Sequence, residues 1–205
     1  MMRKLLLAIA CLLVPAFLLT GCGQDFGKVD QGRTVAYDKE KKTVTFIRDT
    51  NTDASKAPNY NGLPPATYAI PTDPKEMGPE PKAGGRMKID TKKNQIVIFD
   101  PTAQAFKTID YKLIEQKENV ERNDPLVYDK AAEKAKPNPV VNREKKTITI
   151  YSGRQKTYTV FTVPDEYFAL PDNTWDAGDE VRVYYKDAGK SLRLMNISKT
   201  DIYRR

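Results

Sequence analysis

The sequence predicts a mainly β protein. Two tandem small antiparallel β-barrel modules, residues 32–111 and 138–205, are joined by a linker (112–137) that carries one short α-helix. Three observations predict this. Apolar and polar residues alternate: Ile148 and Ile150 with Thr147 and Thr149, Val181 and Val183 with Arg182 and Tyr184, Leu192 and Leu194 with Arg193 and Met195. A period of two marks half-buried antiparallel strands. Segments also recur in order. Lys41-Lys42-Thr43-Val44-Thr45-Phe46 returns as Lys145-Lys146-Thr147-Ile148-Thr149-Ile150, Tyr68-Ala69-Ile70-Pro71 as Phe161-Thr162-Val163-Pro164, and Ala83-Gly84 as Ala177-Gly178, each of the latter followed by a strand. Lys107-Thr108-Ile109-Asp110-Tyr111 has a counterpart at Lys199–Tyr203. Self-similarity of this kind points to duplication; the alternative is one larger β domain with similar hairpins throughout, since residues 91–99 resemble the same segment. Finally, Asp187-Ala188-Gly189-Lys190 and Thr91-Lys92-Lys93-Asn94 supply hairpin turns between strand patterns.

The elements follow in order. Arg3 and Lys4 form a short positive region ahead of an apolar run, Leu5–Leu19. At 1.5 Å per residue that run is too short for the ~30 Å of a bilayer core. It fits the hydrophobic region of a secretory leader, residues 1–21. A buried helix of the folded body would be amphipathic, whereas this run is apolar all round. Residues 22–31 read as a tether. In the first module the stretch 48–82 carries Pro58, Pro64, Pro65, Pro71, Pro74, Pro79 and Pro81, which predicts an extended surface loop. In the linker, Asn123 or Asp124 can cap a helix, Pro125 suits its first turn, and the good helix formers after it continue until Pro137 and Pro139.

Composition removes many chemistries. The chain has no histidine and two cysteines, Cys11 and Cys22. Cys11 lies in the leader, so no disulfide is expected, nor a His/Cys zinc or copper site, nor a Ser-His-Asp or Cys-His centre. No Gly-rich phosphate loop or calcium-loop pattern is present, and Gly84-Gly85 reads as a turn. No cofactor and no metal are expected. Loss of Arg3 and Lys4 with the leader lowers the formal charge from +7 to +5. The excess is spread along the chain, as on a solvated surface with weak attraction for anionic headgroups or glycan.

Leu19-Thr20-Gly21-Cys22 resembles the lipobox of bacterial lipoproteins. The resemblance implies cleavage between Gly21 and Cys22 and acylation of Cys22. Several acyl chains hold a protein durably, each buried methylene contributing ~0.8 kcal/mol. Gly23 after the cysteine implies the outer membrane, with the folded body facing the periplasm. The second module resembles small OB-like β-barrels of periplasmic proteins, including copper-chaperone modules, through its strand runs at 144–152, 156–164 and 177–198. The ligands of those chaperones have no match here, so the metal role does not carry over. The whole chain looks like an uncharacterised family of bacterial lipoproteins.

Strand phase nominates a binding face. If Val181, Val183, Leu192 and Leu194 point inward, then Arg182, Tyr184, Arg193 and Met195 share the outer side, two cations beside an aromatic. The same phase puts Lys88, Asp90, Val97 and Phe99 outside. Tyr167, Phe168 and Trp175 form a second candidate, as a stacking platform or as a plug closing a barrel. The expected role is non-catalytic: a module anchored to the membrane through Cys22 that binds an envelope protein or polymer, with nucleic acid excluded by the compartment. The alternatives are an enzyme using the acidic run Asp172, Asp176, Asp179 and Glu180 on envelope polymer, and a carrier of a small ligand or cation.

Overall fold

The computed structural model describes residues 26–51, 53 and 56–200. The leader, the Gly21/Cys22 cleavage site and the acylation at Cys22 lie outside the described residues. The described chain is mainly β. Its strands are β1 (Lys28–Asp38), β2 (Thr43–Asp49), β3 (Tyr60–Ala69), β4 (Arg86–Asp90), β5 (Gln95–Asp100), β6 (Ala105–Asp110), β7 (Lys112–Lys117), β8 (Tyr128–Asp129), β9 (Lys134–Ala135), β10 (Val140–Asn142), β11 (Thr147–Ser152), β12 (Thr157–Thr162), β13 (Glu180–Tyr185) and β14 (Ser191–Asn196). They form a five-stranded sheet β14-β13-β1-β2-β3, a four-stranded sheet β10-β11-β12-β7, a three-stranded sheet β4-β5-β6 and the small β8-β9 hairpin. All pairings between these strands are antiparallel.

None of these sheets closes into a barrel, contrary to the expectation of two tandem barrels. The reason lies in the middle sheet, which is apolar on both sides. Ile89, Ile96, Ile98 and Ile109 pack with Ile148, Ile150 and Phe161 of the four-stranded sheet, sealed by Phe168 and Trp175. On the opposite side Met87 and Phe99 pack with Ile47 and Tyr60 of the five-stranded sheet, flanked by Val35, Val97 and Phe106. Strand β5 is therefore covered on both faces. Phe99 and Val97, expected outside, point into this second interface. Sheets are stabilised here by stacking face to face, which gives each apolar face a partner without closure.

The edges are managed by other means. Gly78 N–H donates to the Leu194 carbonyl (2.7 Å), laying the 77–78 segment along β14. The other edge, β3, carries Pro64 and Pro65, which cannot extend a ladder. The proline-rich stretch expected to be loop thus contains a ten-residue edge strand.

The five-stranded sheet combines β1–β3 with the C-terminal hairpin, so its strands come from both self-similar segments. Residues 28–31, expected in the tether, belong to β1 and pair with 182–185. The Ala-Gly motifs meet where the chain crosses between layers. A Cβ on Gly84 would lie 2.2 Å from the Gly178 nitrogen, and Gly178 holds φ at +69° with its α-carbon against the Thr34 carbonyl. Only glycine permits that approach.

The linker helix is also replaced. Asp129 accepts from the N–H groups of Ala131 and Ala132, Glu133 adopts φ of 48°, and the chain turns back as β8-β9. The side-chain bonds offer the backbone a tight turn in place of a helix.

Candidate functional site

Where the three large sheets meet, a cavity of about 570 Å³ opens between β1, β3, β4 and the turn after β11. Its chemistry comes from Arg33, Tyr60, Arg86 and Arg154, with Lys88 at the rim. Each sits there for a local reason. Arg33 follows Gly32 on β1, and its Nη1 crosses to the middle sheet, donating to the carbonyls of Met87 (2.9 Å) and Arg86 (3.3 Å). Its guanidinium lies 4.1 Å from the centre of the Tyr60 ring, a cation–π distance. Arg86 is drawn between layers by the tight Gly84-Gly85 passage. It is 8 % exposed, and its Nε donates to the Trp175 carbonyl (2.9 Å).

Neither Arg33 nor Arg86 forms an ion pair among the described residues. Asp176, which favours the charge on Arg86, is itself paired with Lys82. Glu180, which favours the charge on Arg33, accepts from Gln31 and lies 4.0 Å from Arg154. Burial pushes Arg86 down to about 10, and Arg33 beside it adds to the shift. Arg33 is lowered as well, chiefly by burial. Arg33 Nε is buried without a hydrogen-bond partner, and the buried Tyr60 hydroxyl lies by Arg33 and the Glu180 carboxylate. Buried polar groups are almost always paired, and an unpaired one marks strain or a missing guest.

The residues nominated from sequence fall elsewhere. Arg182 faces Met195 and Tyr184 faces Arg193 across β13-β14, so the four do share one patch. Its cations are engaged within the protein: Arg182 donates to Gln31 (2.7 and 2.9 Å), and Arg193 is bonded to Glu76 through two nitrogens. Val181, Val183 and Leu194 are buried, but Leu192, expected inward, is 47 % exposed, beyond the bulge near Tyr185. Trp175 and Phe168 are core residues and offer no face to a ligand. Tyr167 alone lines a second, more apolar cavity of about 610 Å³, with Lys107 4.7 Å from its ring centre.

The acidic run is distributed among structural bonds. Asp172 pairs with Arg143, Asp176 with Lys82, and Asp179 with Lys199 and the Asn196 side chain. No group of three or more acidic, cysteine or histidine side chains is placed to hold a metal ion among the described residues. Sequence reasoning missed Arg33, Tyr60, Arg86 and Arg154. The available signal was Gly84-Gly85, a close approach of backbones that delivers the next side chain, Arg86, into the interior.

A family model described as a domain of unknown function, DUF4881, matches residues 25–205. The chain belongs to this family. Its matched span takes in every strand that builds the DUF4881 cavity described here. No curated protein and no solved structure matches the chain.

Proposed function

We propose that this protein is a lipid-anchored, non-catalytic binding protein of the bacterial envelope. It is held at the outer membrane through Cys22, faces the periplasm, and engages an envelope protein or polymer through the basic cavity. The carrying observation is the pair of enclosed guanidiniums, Arg33 and Arg86, without a carboxylate in ion-pair reach. The cations of the β13-β14 patch are engaged by Gln31 and Glu76, which supports moving the binding site from that patch to the cavity.

The leader and Leu19-Thr20-Gly21-Cys22 support the anchor. Because β1 begins at Lys28, residues 23–27 reach at most ~20 Å at 3.3–3.6 Å each, so the folded body stays near the bilayer. A binding role is supported by the engagement of the nearby carboxylates within the protein: Asp176, in the cavity wall, pairs with Lys82, and Glu180 accepts from Gln31. The repeated segments are read as an old duplication whose copies have interleaved across the sheets.

Cell fractionation tests the anchor. Cys22→Ala is expected to move the protein from the membrane to the soluble fraction, and retention in the membrane contradicts the anchor. Cross-linking in solubilised envelopes tests the site. Arg33→Gln is expected to lose the wild-type adduct, and an Arg182/Tyr184/Arg193 triple Ala variant to keep it; the reverse pattern returns the site to the β13-β14 patch.

A further inference from the structure

Two cations enclosed side by side repel each other, and each has lost part of its hydration. Such an arrangement is costly unless an anion completes it. The protein supplies carbonyl oxygens and Tyr60, but no ion-paired carboxylate, to Arg33 and Arg86. A guanidinium has five donors in a planar fork, which matches the oxygens of a carboxylate or phosphate. The Tyr60 ring, 8 % exposed, forms the wall against which the Arg33 guanidinium lies, with its hydroxyl turned inward beside Arg33 and Glu180.

We propose that the cavity binds an anionic oxo group, carboxylate or phosphate, seated between Arg33 and Arg86 and borne on a sugar- or amino-acid-sized body. This rests on the cavity being the binding site. The volume exceeds what the oxo group alone needs and is in the range of small-ligand sites. The rest of the wall suits such a body, with Pro58, Met87 and Phe106 giving apolar contact and Asn59 an amide group, while the Asn138 amide is held at both ends by the Tyr151 backbone. Arg154 and Lys88 at the mouth raise the local concentration of anions.

Calorimetric titration of the full acylated chain in detergent micelles tests this, with inorganic phosphate, N-acetylmuramic acid and uncharged N-acetylglucosamine as probes. At least one anion is expected to saturate a single site, its identity separating phosphate from carboxylate, while N-acetylglucosamine gives no saturable heat. Arg33→Gln is expected to weaken that anion ~10-fold or more. Arg33→Lys weakens it too, because the charge remains but the fork is lost. The proposal is overturned if neither anion saturates, or if the anion binds wild type and Arg33→Lys alike. Saturable N-acetylglucosamine binding that is lost in Arg33→Gln would keep the cavity as the site while overturning the anion.

Discussion

Burial holds the Tyr60 phenol protonated up to about 12, with Arg33 opposing the shift and Glu180 adding to it. Tyr68 is pushed up as well, by burial and by its hydrogen bond to Asp30 (2.7 Å). An unfolded tyrosine ionises near pH ~10. A raised folded-state value therefore leaves stability unchanged below that pH and removes it as pH climbs through the folded value. The tyrosine contribution to the melting temperature is expected to be flat from neutral pH to ~9 and to fall between about 10 and 12. In Tyr60→Phe the alkaline fall should be shallower. An equal alkaline slope in both proteins contradicts this account of the site. At this scale the sequence was informative about core aromatics: Trp175 does plug an interior, with no exposed surface. It was silent on Tyr60, whose proline- and asparagine-rich surroundings read as loop.

One turn design recurs along the chain. Asp38, Asp90, Asp100, Asp129, Asn142 and Ser152 each end a strand and accept from a backbone N–H two or three residues on. The fourth residue onward, Lys42, Asn94, Gln104, Glu133, Lys146 or Lys156, then sits at φ between 48° and 53°. The Asp38 and Asp90 carboxyls are held below the usual range first by those backbone donors. An L-residue at positive φ costs roughly 1–2 kcal/mol, and a β-branched one more. Lys42→Gly is thus expected to be more stable than Lys42→Val by at least ~1 kcal/mol in urea denaturation; equal midpoints would show that the turn geometry is not under this strain. This design explains which elements were legible. The period of two marked β11, β13 and β14, because hairpins of this type set alternate residues on a face. The β8-β9 segment read as helix because alanine and lysine propensity is weak against an Asp129 turn. β3 was invisible because Pro64 and Pro65 are tolerated on an edge.

Across the whole molecule, local pattern identified strands but could not choose their partners. β1 pairs with β13, from the far end of the chain, and the middle sheet finds a different neighbour on each side. The self-similar segments suggested separate barrels because each carries one amphipathic period. What that period cannot encode is that β5 is apolar on both faces through Ile96, Ile98, Val97 and Phe99. The cavity is a product of that stacking. Arg33, Tyr60, Arg86 and Arg154 lie far apart in sequence and converge only when three sheets meet, so no motif could announce them. The most direct test of the central claim is a ¹H–¹⁵N spectrum of the arginine Nε–H groups during titration with inorganic phosphate or N-acetylmuramic acid. The Arg33 and Arg86 signals are predicted to move saturably, with one common dissociation constant, while those of Arg182 and Arg193 stay in place. Movement of Arg182 and Arg193 with Arg33 and Arg86 unmoved would contradict it.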